Sequence, residues 1–445
     1  MEFRPAVKRF LPGGMTLSAA MTVLATLLIM IATLLAASAG AQTFSVIHTF
    51  TGGSDGAAPQ AGLTMDQRGN LYGTTAQGGN LNCNTGAGSG CGVVYKLAPQ
   101  GSGWVITPLH TFTGGNDGAG PSAGVTFGPD GALYGTTSYG GGSDRCGEGC
   151  GTVYSLRPAP TTCATTACPW LETVLHAFHL DLGGDDGITP GGGNVVFDSQ
   201  GNLYGTTYEG GGYIVGACDE YGCGTVYELS PSGGAWSEQL IFQFSDSATA
   251  QPWSGVIFDA SGNLYGTTYA GYPGAQVYRL SSVHGSWLEE PLNQLGYNGS
   301  EGGVVFDSQG NLYGGTLNGG GGRRGTVFEL SPAGENWTYT LLKSFSPPGE
   351  GGPAASLIMD AAGNLYGTSN NGALGFGNVF KLTPSNGGWV YTSLYDFTGG
   401  SDGRYPASAS VLIDANGNLY GTASKGGLTS ACSGVGCGVI WKIAP

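Results

Sequence analysis

The sequence predicts an all-β fold, a seven-bladed β-propeller with four antiparallel strands in each blade. Three observations carry that expectation: a hairpin phrase that recurs seven times, a composition rich in glycine and aromatics, and an array cut out of phase with itself. Glycine supplies 86 of 445 residues, and charged residues are only 10%. Aromatics at 11% fill a core, while glycine permits tight turns, a balance that suits many short strands rather than helices. A disordered chain would carry fewer rings and more charge.

The recurring phrase is first met at Asp66-Gln-Arg-Gly-Asn-Leu-Tyr72-Gly-Thr-Thr75, and its other copies centre on Tyr134, Tyr204, Tyr265, Tyr313, Tyr366 and Tyr420. Successive tyrosines lie 48 to 70 residues apart, the range of a four-stranded blade. Each repeat divides into four strand-like pieces. The first is apolar and ends at the aspartate, as in Ala61 to Asp66. Asp66 suits the start of a type I turn, and Gly69 suits the left-handed position that closes it. The second strand is Leu71 to Thr75 and the third is Gly92 to Leu97. The fourth runs from a tryptophan to a phenylalanine, as in Trp104 to Phe112, with Trp287 to Leu295 a degraded copy. The array opens on a lone fourth strand, Thr43 to Phe50, and stops after a third strand at Ile443. A ring resolves that mismatch: the N-terminal strand completes the last blade, and closure removes exposed sheet ends.

Residues 1–41 stand apart. Arg4, Lys8 and Arg9 precede an uncharged stretch from Met15 to Ala41, which ends in the small residues Ala37-Ser38-Ala39-Gly40-Ala41. This is the layout of a signal peptide with Gln42 as the mature start. An uncleaved membrane anchor is the competing reading, and then the membrane would be met only through this segment. The ten cysteines form five close pairs, Cys83/Cys91, Cys146/Cys150, Cys163/Cys168, Cys218/Cys223 and Cys432/Cys437. In an exported chain such pairing reads as local disulfides, whereas zinc prefers closer spacing or histidine, which is scarce here. The expected location is therefore secreted or at the cell surface. A net charge of −15 repels phosphate backbones and excludes nucleic acid as a partner.

Antiparallel order places the second-to-third and fourth-to-first loops on one face, opposite the Asp-x-x-Gly turns. Four of the five cysteine pairs fall in those second-to-third loops, so one face is stapled, and long loops on a rigid frame are where binding concentrates. Asp55, Asp117, Asp186 and Asp402 sit in Asp-Gly loops of that face. They read as turn-capping residues, with Ca²⁺ the alternative, although calcium needs more oxygens than one aspartate per loop supplies. Tyr139, Tyr208, Tyr221, Tyr269 and Trp253 are candidate ligand-stacking rings for a glycan, against the alternative of loop packing. Blade three departs most from the repeat, and Glu209 with Asp219 or Glu220 is its candidate carboxylate pair for glycoside chemistry. The match of Gly120 to Gly124 to a nucleophile elbow precedes a strand, not a helix, and carries no such chemistry.

The tandem Asp-x-x-Gly-Asn-Leu-Tyr-Gly-Thr-Thr, Gly-Thr-Val-Tyr-Glu-Leu and Phe-Thr-Gly-Gly-x-Asp-Gly phrases resemble the GloVer-type repeat of bacterial exported proteins. The resemblance spans essentially residues 43–445 and implies an extracellular setting but no activity and no catalytic residues. A C-terminal sorting anchor often follows such repeats; this sequence ends at Pro445 without one, which implies release or N-terminal tethering. The function expected is a non-catalytic binding or scaffolding propeller for an extracellular glycan or protein, with no required cofactor and a monomeric state. A polysaccharide-active hydrolase or lyase at blade three is the alternative.

Overall fold

Leu-Tyr-Gly-Thr-Thr recurs because each of its positions has one job in a repeated sheet. The computed structural model describes residues 42–85, 88–143, 146–159, 170–180, 186–212, 218, 222–245, 250–269, 274–296, 299–406 and 410–445. Within them the chain forms a seven-bladed propeller of four antiparallel strands per blade, with no α-helix among the described residues. Blade one consists of Thr64–Met65, Leu71–Thr75, Val93–Gln100 and Gly103–Thr111, paired in that order. Blade seven consists of Leu412–Ile413, Leu419–Ala423 and Val439–Ala444, and its fourth strand is the N-terminal Thr43–Thr49. The ring is zipped as the phase of the repeat requires.

Glycine in the phrase is a packing requirement. Gly73 faces Tyr95 across the sheet, and a Cβ there would stand 2.5 Å from the Tyr95 hydroxyl. The same opposition recurs as Gly135 with Tyr154, Gly205 with Tyr227, Gly266 with Tyr278, Gly314 with Phe328, Gly367 with Phe380 and Gly421 with Trp441. Each third-strand ring thus lies flat over its own second strand. It then meets the phenylalanine that ends the preceding fourth strand: Phe112 meets Tyr154 and Phe178 meets Tyr227, both at 5.2 Å between ring centres. At the seam Phe50 meets Tyr95 in the same way at 5.4 Å.

Tyrosine of the phrase has two attachments. Tyr72 donates to Asp66 Oδ2 at 3.1 Å, tying the ring to its own turn. Its face meets Phe127 and Trp170 of the next blade at 5.3 and 6.4 Å. Tyr420 repeats the contact across the seam with Trp104 at 6.2 Å. In the turn, Asp66 accepts from the Arg68 and Asn70 backbone N–H groups and from Asn70 Nδ2, while Gly69 takes φ +79°. The same set recurs at Asp198, Asp259, Asp307, Asp360 and Asp414. The penultimate threonine crosses to the neighbouring blade: Thr74 Oγ1 donates to Ala123 O at 2.8 Å, and Thr422 Oγ1 donates to Ala61 O at 3.1 Å.

These crossing bonds correct the expected first strands. The apolar segments before the turns do not pair over their length; ladder pairing is confined to two residues, as at Thr64–Met65 and Val125's neighbours Thr126–Phe127. Their upstream carbonyls accept from the preceding blade's threonine instead of a sheet partner. The fourth strand of blade four forms although its sequence is a degraded copy: Ser286–Gly296 is the longest strand among the described residues and carries two register shifts. Blade three carries a further strand, Gly187–Pro190, along the extended second strand Leu203–Gly210.

Gly73→Ala is expected to lower unfolding free energy by about 1–3 kcal/mol in urea denaturation, the usual cost of overpacking. Gly387→Ala, in open space, should leave the midpoint unchanged.

Candidate functional site

Both long-loop families emerge on one face, as strand order requires. Backbone bridges join them at Ala57 with Gln77, Ala119 with Tyr139 and Arg404 with Lys425. Disulfides join Cys83 to Cys91, Cys146 to Cys150, Cys218 to Cys223 and Cys432 to Cys437. Cys163 and Cys168 lie outside the described residues. Staples and glycine loops fit against each other: a Cβ on Gly114 would meet Cys83 Sγ at 2.4 Å, and one on Gly52 would meet Cys432 Sγ at 2.8 Å.

The loop acids are consumed by their own loops. Asp55 accepts from the Thr51 N–H at 3.0 Å and from Thr51 Oγ1, and His48 Nε2 lies 3.3 Å from its other side. Asp117 holds Thr113 and stands 3.4 Å from His110. Asp402 holds Thr398 and accepts from Tyr395 at 3.0 Å, while Asp186 lies between His176 and His179. A fifth clasp was not anticipated: Glu350 accepts from Lys343 Nζ at 2.8 Å and from the Ser346 N–H at 3.0 Å. Its signal was spacing, an acid five residues after the strand-ending Phe345, as Asp55 follows Phe50. The described residues contain no cluster of three metal-ligating side chains.

Of the candidate rings, the structure brings together Tyr208 and Trp253, edge to face at 5.3 Å. Tyr139 is partly buried against the blade-two core and Tyr269 is exposed, and neither touches that pair. Tyr221 lies outside the described residues, as do Asp219 and Glu220. Glu209 is not a loop acid. It extends the second strand of blade three opposite Ile188, and its carbonyl accepts from Thr207 Oγ1 at 2.8 Å.

At the axis, the segments that enter all seven first strands line one cavity of ≈ 330 Å³. Six residues before the turn aspartate the repeat places Gln60, Gly192, Trp253, Glu301 and Ala354 around it, and blade two contributes Ser122. Symmetry is broken here more sharply than at blade three. Glu301 is the single charged residue in the lining, and no lysine, arginine or histidine shares it. Burial alone pushes its carboxyl above the ordinary range. Asn194 uses its amide oxygen on the Gly124 N–H at 2.9 Å. Gly192 makes room for the indole: a Cβ there would stand 2.8 Å from Trp253 Nε1. Glu301 was missed because one acid in an unremarkable Ser-Glu-Gly-Gly phrase gives no motif; aligning the repeats by position would have exposed it. A larger cavity of ≈ 530 Å³ lies between blades seven and one, walled by the Cys432–Cys437 staple, but Lys425 is its one charged residue and that ammonium lies over the Tyr405 ring.

A further titratable group sits between blades. Glu172 is held up to about 7 by burial, with the Asp117 charge adding to it and His110 opposing it, and its Oε1 is buried without a hydrogen bond. The turn aspartates behave oppositely: burial disfavours ionised Asp66, but bonds from Asn70, Arg68 and Tyr72 outweigh it and hold its pKa below the ordinary value.

A sequence profile described as the Gloeobacter/Verrucomicrobia repeat matches residues 32–218 and 216–435. No curated relative matches the sequence. Solved structures with a similar fold include a provisionally named 6-phosphogluconolactonase of Bacteroides uniformis, 14% identical, covering 80% of this chain and 90% of that one at a TM-score of 0.49. A hypothetical selenium-binding protein of Sulfolobus tokodaii is 13% identical over 76% of this chain and 78% of its own at 0.47. A gluconolactonase of Xanthomonas campestris is 13% identical over 72% and 91% at 0.36. Such likeness concerns the fold alone.

Glu172 is protonated more readily in the folded chain than in the unfolded one, so its contribution to stability is full in acid and is lost as pH rises through about 7. Glu172→Gln should therefore raise the thermal midpoint at pH 8 and leave it near wild type at pH 5. The turn aspartates contribute above the ordinary aspartate pKa of about 3.9 and lose that contribution as pH falls beneath it, so acid unfolding should begin there and move upward in Asp66→Asn.

Proposed function

The chain belongs to the Gloeobacter/Verrucomicrobia repeat family, and from that premise we propose that it is an extracytoplasmic, non-catalytic binding propeller acting through its disulfide-bearing face. An oxidising location is supported by four disulfides in a chain whose first 41 residues have the layout of an export signal. Among the described residues no helix is long and apolar enough to cross a membrane.

One observation carries the reading: the clasped acids are engaged in holding loops, whereas Trp253, edge to face with Tyr208, lines the axial cavity on the same face. Rings of this kind offer apolar faces to sugars while neighbouring amides and hydroxyls take the sugar's hydrogen bonds. A glycan is accordingly the favoured ligand, with a surface protein as the other outcome of the test. At blade three, Glu209 lies in a strand pair opposite Ile188, and its candidate partners Asp219 and Glu220 lie outside the described residues.

Immobilised-glycan binding, run beside an assay for newly released reducing ends, tests the proposal. The expected result is binding without release, weakened roughly tenfold in Trp253→Ala, the loss that about 1.4 kcal/mol of ring contact represents. Release of reducing ends, or binding indifferent to Trp253→Ala and Tyr208→Ala alike, would overturn it.

A further inference from the structure

We propose that the axial cavity is a recognition site for an amino sugar bearing a free ammonium group, held by Glu301 and the indole of Trp253. This rests on the binding reading above and names its ligand.

The argument begins with what the cavity leaves unanswered. The described residues offer the Glu301 carboxylate no hydrogen bond and no ion pair, although every other acid discussed on this face has partners. Among the described residues no cationic side chain lines the cavity, so the counter-charge is supplied by a ligand. A partly buried carboxylate without a counter-charge is costly, and its raised pKa expresses that cost. Binding an ammonium would relieve it. Trp253 is contributed by the blade adjoining that of Glu301, and an indole is the side chain whose ring best attracts an ammonium.

The neutral lining distinguishes among cations. Gln60, Ser122, Asn194, Ser254, Ser356 and Ser410 surround the charged position with amides and hydroxyls. Ser122 is shared with Ser138 at 2.8 Å and Ser356 accepts from the Gly303 N–H at 2.8 Å, but Gln60 is held by no described residue. Ser254 is likewise shared with Thr267 at 2.9 Å, so a lysine side chain or a simple alkylammonium would leave Gln60 unmatched, whereas a hydroxylated ring carrying an amine would satisfy it. The volume, ≈ 330 Å³, lies at the small end of ligand pockets and admits one such ring. Small residues create the space: Gly192 seats the indole, and Gly303 faces Ser356 and Ser254, where larger side chains would fill the mouth.

The test is calorimetric titration of the disulfide-intact protein with glucosamine oligosaccharides, their N-acetylated counterparts, and a lysine-containing peptide. Free-amine oligosaccharides should bind, N-acetylation should weaken binding at least tenfold, and the peptide should bind more weakly than the amino sugar. Glu301→Gln should weaken the free-amine ligand at least tenfold without lowering the unfolding midpoint, and Glu301→Asp should retain part of the binding. Equal binding of amine and N-acetyl forms, or unchanged binding in Glu301→Gln, would overturn the inference, as would a preference for the peptide. A neutral glycan whose binding survives Glu301→Gln but not Trp253→Ala would overturn it while leaving the reading of the stapled face intact.

Discussion

One repeated contact sets the geometry of the molecule: an aromatic ring on the third strand lies over a glycine of the second and against the phenylalanine that closes the preceding blade. The glycine fixes how near the ring can come to its own sheet, and the phenylalanine fixes how near the next sheet can come to the ring. Neither half can vary freely, because interiors are packed to crystal-like density and a Cβ at the glycine would already overlap the ring. Six such steps, and one in which Leu295 takes the phenylalanine's place beside Phe328, return the chain to its start. Phe50, delivered by the N-terminal strand, then takes the place that the terminal blade cannot fill from its own sequence, and Tyr95 receives it as Tyr154 receives Phe112.

Around that apolar step the polar parts of the repeat form closed local circuits. The turn aspartate binds the amides of its own hairpin and the hydroxyl of the same tyrosine whose face packs on the neighbouring blade. The loop acids do the same on the opposite face with threonine, histidine, tyrosine or lysine. This leaves a frame in which most polar side chains answer to the fold. The Glu301 carboxylate in the axial cavity is an exception.

Much of this was legible in the residues. The phase of the array dictated which strand closes the ring, and the spacing of the cysteine pairs and Asp-Gly loops dictated a stapled face. Strand lengths were less legible, because Ala61 to Thr64 reads as strand from its apolar pattern while its hydrogen bonds go to another blade's threonine, a partner remote in sequence. Ser286–Gly296 looked eroded for want of its phenylalanine, yet Leu295 occupies the buried end and the strand persists. Glu209 looked like a loop acid because its counterparts Gln77, Tyr139 and Lys425 make isolated bridges, and among the described residues it is in blade three that this bridge lengthens into a strand, Gly187–Pro190. Glu301 is the converse case. Its significance is positional, and position around an axis cannot be read until the axis is known.

The claim on which the account turns is that Thr43–Thr49 is an integral strand of the final blade. Native-state hydrogen exchange measures this directly. Amides of Thr43–Thr49 should exchange as slowly as those of the other outer strands, such as Gly103–Thr111, and should be released together with Val439–Ala444 under denaturant. Exchange of Thr43–Thr49 at the rate of free chain, with Val439–Ala444 still protected, would contradict closure of the ring.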